Sequence, residues 1–167
     1  MYQSDDSHAY NAWNSSPPFD PDHWGISVYG EGTPMDVVEK GATANQGDII
    51  AQLAQVGNNA SLTKPFTLDK ETHVRIYALG EGQDRTMYDY GWIEDATKGT
   101  VVWEMTYSMT FHAGGGRKNR MVTTNLVLDK GHYILHYVSD DSHSYNHWNT
   151  DPPDDPTMWG ITLYREQ

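Results

Sequence analysis

One stretch of 28 residues occurs twice in this chain of 167 residues. The first copy covers residues 2–29 and the second covers residues 137–164, at a constant offset of 135 residues without a gap. Eighteen of the 28 aligned positions are identical. A match of this extent does not arise by chance, so the chain contains an internal repeat.

The identical positions are mostly acids, amides, hydroxyls, histidine, tryptophan and paired prolines. A stretch retained only for burial would keep aliphatic residues at a period of 2 or 3.6. The repeated stretch is therefore predicted to be a structured polar loop. Each copy ends in a short predicted strand, Trp24 to Tyr29 and Trp159 to Tyr164, in which apolar residues alternate with Gly, Ser or Thr.

The repeat predicts a tandem array of units of about 135 residues. Residues 1–30 are interpreted as the tail of a preceding unit. Residues 31–47 are rich in Gly, Thr and charge and are interpreted as a connector. Residues 48–167 are predicted to form one complete unit.

Short segments of alternating apolar and polar residues predict strands throughout this unit. They cover residues 62–68, 74–79, 87–94, 101–107, 121–128, 132–139 and 161–164. Asp48 to Val56 fits both a helix and a strand, and the surrounding β pattern favours a strand. Turn signals separate the segments, among them Gly80-Glu81-Gly82. The pattern predicts an all-β fold, an antiparallel two-sheet β-sandwich of jelly-roll-like topology.

The segments FTLDKETHVRIYA, GWIEDATKGTVVW and LVLDKGHYILHYVSD carry a family resemblance. Their cadence, from Phe66 to Val138, resembles bacterial extracellular β-sandwich modules of the pre-peptidase C-terminal and jelly-roll binding-module type. The resemblance implies a β-sandwich at the cell surface or outside the cell. The repeated SDDSH loop lies outside the family pattern, so its function is interpreted from its chemistry.

Charge and composition exclude several classes of partner. A net charge of −12 repels nucleic acids and anionic membranes. The absence of cysteine excludes thiolate metal sites and disulfides. No run approaches the 18 apolar residues of a membrane-spanning helix, so no membrane insertion is expected. An acidic surface does suit divalent cations.

The repeated loop is dense in the oxygen ligands that Ca²⁺ prefers. The candidate metal ligands are Asp140, Asp141, His143 and Asp155, with their first-copy equivalents Asp5, Asp6, His8 and Asp20. Calcium is the expected ion, and a transition metal is the weaker alternative. The competing interpretation is that these side chains only cap the loop's own backbone.

A catalytic alternative uses residues from outside the loop. Glu104, His112, Asp141 and His143 would form an acid/base or transition-metal site if they met in space. The competing interpretation is that each histidine donates to a loop carbonyl.

The loop is also rich in aromatic residues. Sugar rings stack on flat apolar faces while nearby carboxylates and amides bind their hydroxyls. The candidate ligand-binding residues are Tyr145, Trp148 and Trp159, with Tyr10, Trp13 and Trp24 in the first copy. The alternatives are that these rings plug the end of the sandwich, or that one unit docks on the next through them.

These features together predict a non-catalytic extracellular repeat module stabilised by a divalent cation. It would bind carbohydrate, act in adhesion, or form a subunit of a surface array or filament, with itself or neighbouring units as partners. The alternative function is a metal-dependent hydrolase or oxidase that uses the His/carboxylate site.

Overall fold

The computed structural model of this chain describes residues 48–166 and two short strands near the N-terminus. The chain divides into two compact units, Met1–Ala42 and Thr43–Gln167. The predicted tail and connector, residues 1–30 and 31–47, lie outside the described residues apart from those two strands.

The described part of the N-terminal unit is a small antiparallel pair. Strand β1 (His8–Ala9) pairs with strand β2 (Ala12–Trp13), with His8 opposite Trp13 and Ala9 opposite Ala12. The second copy of the repeat contains an antiparallel bridge between Ser144 and His147. Those residues are the equivalents of Ala9 and Ala12, so both copies share this local backbone pairing.

The C-terminal unit is an antiparallel β-sandwich, as the alternating pattern predicted. The larger sheet has the order β3 (Ile49–Leu53), β12 (Gly160–Arg165), β5 (Thr72–Gln83), β10 (Asn119–Leu128) and β9 (Phe111–His112), with β6 (Thr86–Met87) paired to β5. The smaller sheet has the order β4 (Ser61–Leu68), β11 (Gly131–Val138), β7 (Tyr90–Asp95) and β8 (Thr100–Glu104). The strand interpretation of residues 48–56 is confirmed by β3.

The core lies between the two sheets. In β5, Val74, Ile76 and Ala78 are fully buried while the residues between them are less so. In β11, Leu135 and Tyr137 are fully buried on one face. This period of two is what an antiparallel sheet with one buried face produces.

One predicted strand is shorter in the structure, and two 3-10 helices are present among residues 48–166. The predicted strand 101–107 ends at Glu104 and is followed by a 3-10 helix, Tyr107–Met109. A second 3-10 helix, Pro156–Met158, begins with a proline and precedes β12.

The predicted turn at Gly80-Glu81-Gly82 is wrong, because these residues lie inside β5. A Cβ added at Gly80 would lie 2.1 Å from the carbonyl oxygen of Asp89. A Cβ added at Gly82 would lie 2.7 Å from the sulfur of Met87. The glycines therefore allow close approach of the returning chain rather than a turn.

Leu135 tests where the core lies. Leu135→Ala is expected to lower the free energy of unfolding by about 2–5 kcal/mol, because it leaves a cavity at a fully buried position. Val101→Ala is the matched control, since Val101 is 55% exposed on edge strand β8. Urea unfolding should show a much smaller effect for the control, and equal effects would contradict this placement.

Candidate functional site: a buried acidic group beneath the repeated loop

The second copy of the repeated loop joins the two sheets. It leaves β11 of the smaller sheet at Val138 and enters β12 of the larger sheet at Gly160. Residues 139–159 therefore form the crossing between the sheets, and we call them the crossing loop.

The start of the crossing loop is bonded to residues 56–60. The Ser139 hydroxyl donates to the carbonyl of Gly57 at 2.6 Å and accepts from the amide of Ala60 at 2.9 Å. The amide of Asn59 donates to the carbonyl of Asp140 at 2.6 Å, and the amide of Tyr145 donates to the carbonyl of Val56 at 3.0 Å. These bonds fix the loop's backbone at its origin.

The carboxylate of Asp89 holds both ends of the crossing loop. It is fully buried, accepts the amide N–H of Asp140 at 2.9 Å, and accepts the indole N–H of Trp159 at 3.2 Å. Asp140 and Trp159 are identical in the two copies of the repeat, as Asp5 and Trp24. One buried side chain therefore bonds the second residue and the last residue of the loop.

Glu81 and Asp140 complete a group of three carboxylates with Asp89. One carboxylate oxygen of each lies within 4.8 Å of the others. The turn after β5 creates this group, because the amides of Tyr88 and Asp89 both donate to the carbonyl of Glu81. Among residues 48–166, no other set of three or more His, Asp or Glu side chains meets this distance.

The two oxygens of Glu81 differ in their surroundings. Oε1 forms an ion pair with Nζ of Lys118 at a distance of 2.7 Å. Oε2 is buried without a hydrogen-bond partner. An unpartnered buried carboxylate oxygen is costly, which makes it a strong candidate ligand for a cation.

Burial determines the electrostatics of the group. Desolvation raises the pKa of Asp89 to about 7, although the bonds from Asp140 and Trp159 act against it. Desolvation also raises the pKa of Glu81, opposed by Lys118. With one ammonium against three carboxylates, full ionisation leaves an excess of two negative charges. A divalent cation would neutralise that excess.

His143 lies in the crossing loop but outside this group. Its ring is completely buried and packs edge-on against Trp148 and Trp159, with centroids 5.1 and 5.5 Å away. Its Nε2–H donates to Oδ1 of Asn119, and its Nδ1 lies 3.0 Å from Oδ1 of Asn149. Both ring nitrogens therefore face side-chain amides, and a neutral ring donates from one of them only.

Asn119 and the triple glycine hold the other side of the crossing loop. The Asn119 amide nitrogen donates to the carbonyls of Gly114 and Asp151 at 2.8 and 2.9 Å. A Cβ on Gly115 would lie 1.9 Å from the carbonyl oxygen of Pro152. A Cβ on Gly114 would lie 2.2 Å from Oδ1 of Asp154, and a Cβ on Gly116 would lie 2.5 Å from Cγ2 of Thr150. The triple glycine is therefore explained by the close approach of residues 150–154.

The predicted ligand-binding aromatics lie mainly against the core. Trp159 is completely buried, so its ring offers no face to a sugar in this structure. Trp148 and Tyr145 are half-buried and pack against the core. Tyr10 and Trp24 lie outside the described residues, and for Trp13 the structure describes the backbone alone.

The predicted metal ligands separate into different places. Asp140 belongs to the carboxylate group, whereas the Asp141 side chain is exposed. Asp155 accepts from the hydroxyls of Tyr77 and Thr157. Asp5, Asp6 and Asp20 lie outside the described residues, and the side chain of His8 is likewise not described.

The predicted catalytic set is not brought together as a ligand group. Glu104 is on β8 of the smaller sheet and His112 is on β9 of the larger sheet, both exposed. The His112 ring Nε2 lies 3.1 Å from the carbonyl oxygen of Gly116. Nothing in the placement of these residues, or of Asp141 and His143, favours the enzyme hypothesis.

Sequence reasoning missed Glu81 and Asp89. Glu81 was assigned to a turn because glycines flank it, and Asp89 lies in a segment interpreted as an ordinary strand. A signal was available in the pattern G-E-G, since an acid between two glycines in a β-rich segment indicates a closely packed polar position.

No protein-family model matches the chain, and a search of curated proteins gave no match either. Within the described residues, no helix is long and apolar enough to cross a membrane.

The buried His143 predicts a dependence of stability on pH. Burial lowers its pKa to about 4, so between about pH 4 and 6.5 the unfolded chain binds more protons than the folded one. Its contribution to stability is therefore present above pH 6.5 and is lost as the pH falls toward 4. The expected slope is at most about 1.4 kcal/mol per pH unit.

This slope is measured by urea unfolding at several pH values. Asp89, whose pKa is raised to about 7, contributes a slope of the opposite sign in this range, so the His143 contribution is the difference in slope between the unchanged protein and His143→Gln. His147→Gln should show no such difference, because His147 is exposed in the same loop. The same slope in His143→Gln and the unchanged protein would contradict the assignment.

Proposed function

We propose that this chain is a non-catalytic extracellular repeat module, in which a divalent cation fixes the crossing loop to the β-sandwich. The module would serve as a subunit of a surface array or filament, or in adhesion. The observation that carries the proposal is the group formed by Glu81, Asp89 and Asp140, together with the buried Oε2 of Glu81, which has no hydrogen-bond partner.

The chemistry of the donors favours a hard cation. All three donors are carboxylates, and both ring nitrogens of His143 in the crossing loop face the side-chain amides of Asn119 and Asn149. Ca²⁺ takes six to eight oxygen ligands from carboxylates and carbonyls, whereas transition metals favour imidazole or thiolate. Calcium is therefore the ion that this group suits best.

The position of the group gives the cation a structural role. Glu81 comes from β5, Asp89 from the segment before β7, and Asp140 from the crossing loop. An ion bound here would join both sheets to the loop that repeats along the chain. Such an ion would make each unit rigid, as is useful in an array that carries mechanical load.

An extracellular setting would suit this chemistry. Calcium-binding modules outside cells bind the ion with dissociation constants of about 10⁻⁴–10⁻³ M, matched to the calcium supply there. The burial of Trp159 supports a role in architecture over sugar stacking, so assembly is preferred to carbohydrate binding within this proposal.

Thermal unfolding with calcium and with chelator tests the proposal. Calcium at 100 times its Kd is expected to add about 2.7 kcal/mol to the free energy of unfolding, which raises the melting temperature. Asp140→Asn should lose most of this increase, because it removes one carboxylate from the group.

Asp141→Asn is the matched control, since Asp141 is the neighbouring residue and its side chain is exposed. It removes the same charge and should keep the full response to calcium. Equal melting temperatures of the unchanged protein in calcium and in chelator would contradict the proposed calcium site.

A further inference from the structure

Residues 139–164, which form the crossing loop and β12, pack into a site formed by the rest of the sandwich. Nine residues of this segment are buried: His143, Ser144, Pro153, Trp159, Gly160, Ile161, Thr162, Leu163 and Tyr164. Besides contacts within the segment, they have partners on β3, β5, β10 and residues 56–60. The rest of the sandwich therefore forms a cradle for this segment.

Residues 4–29 have the sequence to fill the same cradle. At the nine buried positions, six residues are identical in the first copy: His8, Pro18, Trp24, Gly25, Ile26 and Tyr29. The other three become smaller, with Ala9 for Ser144, Ser27 for Thr162 and Val28 for Leu163. No buried position receives a larger side chain, and the larger Phe19 falls at the exposed position of Asp154, beside Gly114.

The polar contact of Gln52 would also be kept. Gln52 donates to the hydroxyl of Thr162 at 3.0 Å, and Ser27 carries a hydroxyl at the same position. The remaining six differences fall at positions that are exposed or half-buried in the second copy. The shared backbone bridge, Ala9 with Ala12 and Ser144 with His147, shows that the two copies also agree in local conformation.

Chain connectivity allows the exchange within one molecule. β12 runs antiparallel to β3 with Tyr164 opposite Ile49. Tyr29, the equivalent of Tyr164, precedes Ile49 with only residues 30–48 between them. Those 19 residues reach roughly 60 Å when extended, while paired strands lie about 5 Å apart.

We propose that residues 4–29 compete with residues 139–164 for this cradle in the same molecule. In the alternative arrangement the first copy forms the crossing loop and the strand between β3 and β5, and residues 139–164 are released. The smaller Val28 and the lost hydroxyl of Ser144, which bonds Asn58, make this arrangement the minor one. The proposal is independent of the cation.

Competition between the two copies has a direct consequence for assembly. A released segment 139–164 is available to the cradle of the next unit or of another molecule. Exchange of an identical element between protomers is a low-cost route to oligomers. The same sequence thus supports a closed monomer and a linked chain of units.

Gly160 allows one arrangement to be blocked selectively. It has a φ of 135°, and a Cβ there would lie 2.0 Å from the carbonyl oxygen of Leu53. Gly160→Val therefore excludes residues 139–164 from the cradle, while Gly25 remains for the first copy. Gly25→Val blocks the first copy in the same way.

The test compares three full-length variants by circular dichroism and gel filtration. Gly160→Val is expected to keep a cooperative unfolding transition at a lowered temperature, as a monomer. Gly25→Val should unfold as the unchanged protein does, and Gly25→Val/Gly160→Val should have no cooperative transition. Loss of the transition in Gly160→Val alone, its retention in the double variant, or folding only as an oligomer would each overturn the proposal.

A disulfide trap gives a second readout, since the chain has no cysteine. In the Gly160→Val protein, Ser27→Cys with Gln52→Cys should cross-link within one molecule on oxidation. Thr162→Cys with Gln52→Cys in the otherwise unchanged protein is the positive control, because these residues face each other across β12 and β3. A cross-linked control without cross-linking of the Ser27 variant would also overturn the proposal.

Discussion

The buried carboxylate of Asp89 is the interaction on which the rest of the structure depends. It accepts one hydrogen bond from the beginning of the crossing loop and one from Trp159 at its end. A buried carboxylate is stable only when it is bonded or neutralised, so the loop must close on it in one way. The closure of the loop also places Asp140 beside Asp89 and Glu81, and the charges of these two neighbours raise the pKa of Asp89 further.

The retained residues of the repeat now have physical explanations. Ser139 bonds the loop to residues 57–60, His143 bonds it to Asn119, and Gly160 permits the approach of Leu53. These polar residues act inside the structure by satisfying buried groups. Asp141 and Asn149 of the same loop are exposed.

Much of the fold was predictable from alternation along the strands. Leu135 and Tyr137, for example, alternate with less buried neighbours, and this period of two predicts strand β11. The acidic group was not predictable, because Glu81 and Asp140 are 59 residues apart in the sequence. They come together because the chain turns back after β5, which places Asp89 beside Glu81, and because the crossing loop bonds to Asp89 through Asp140. Local pattern specifies a strand, whereas a site of this kind needs the tertiary contacts.

The central claim is that the acidic group beneath the crossing loop binds a hard cation, and terbium luminescence tests it most directly. Tb³⁺ resembles Ca²⁺ in its preference for oxygen ligands, and it emits when a nearby indole transfers energy to it. Trp159 lies 3.2 Å from Asp89 and is the expected donor. The account predicts terbium emission on tryptophan excitation that calcium displaces and Asp89→Asn removes. Absence of emission, or emission unchanged in Asp89→Asn, would contradict it.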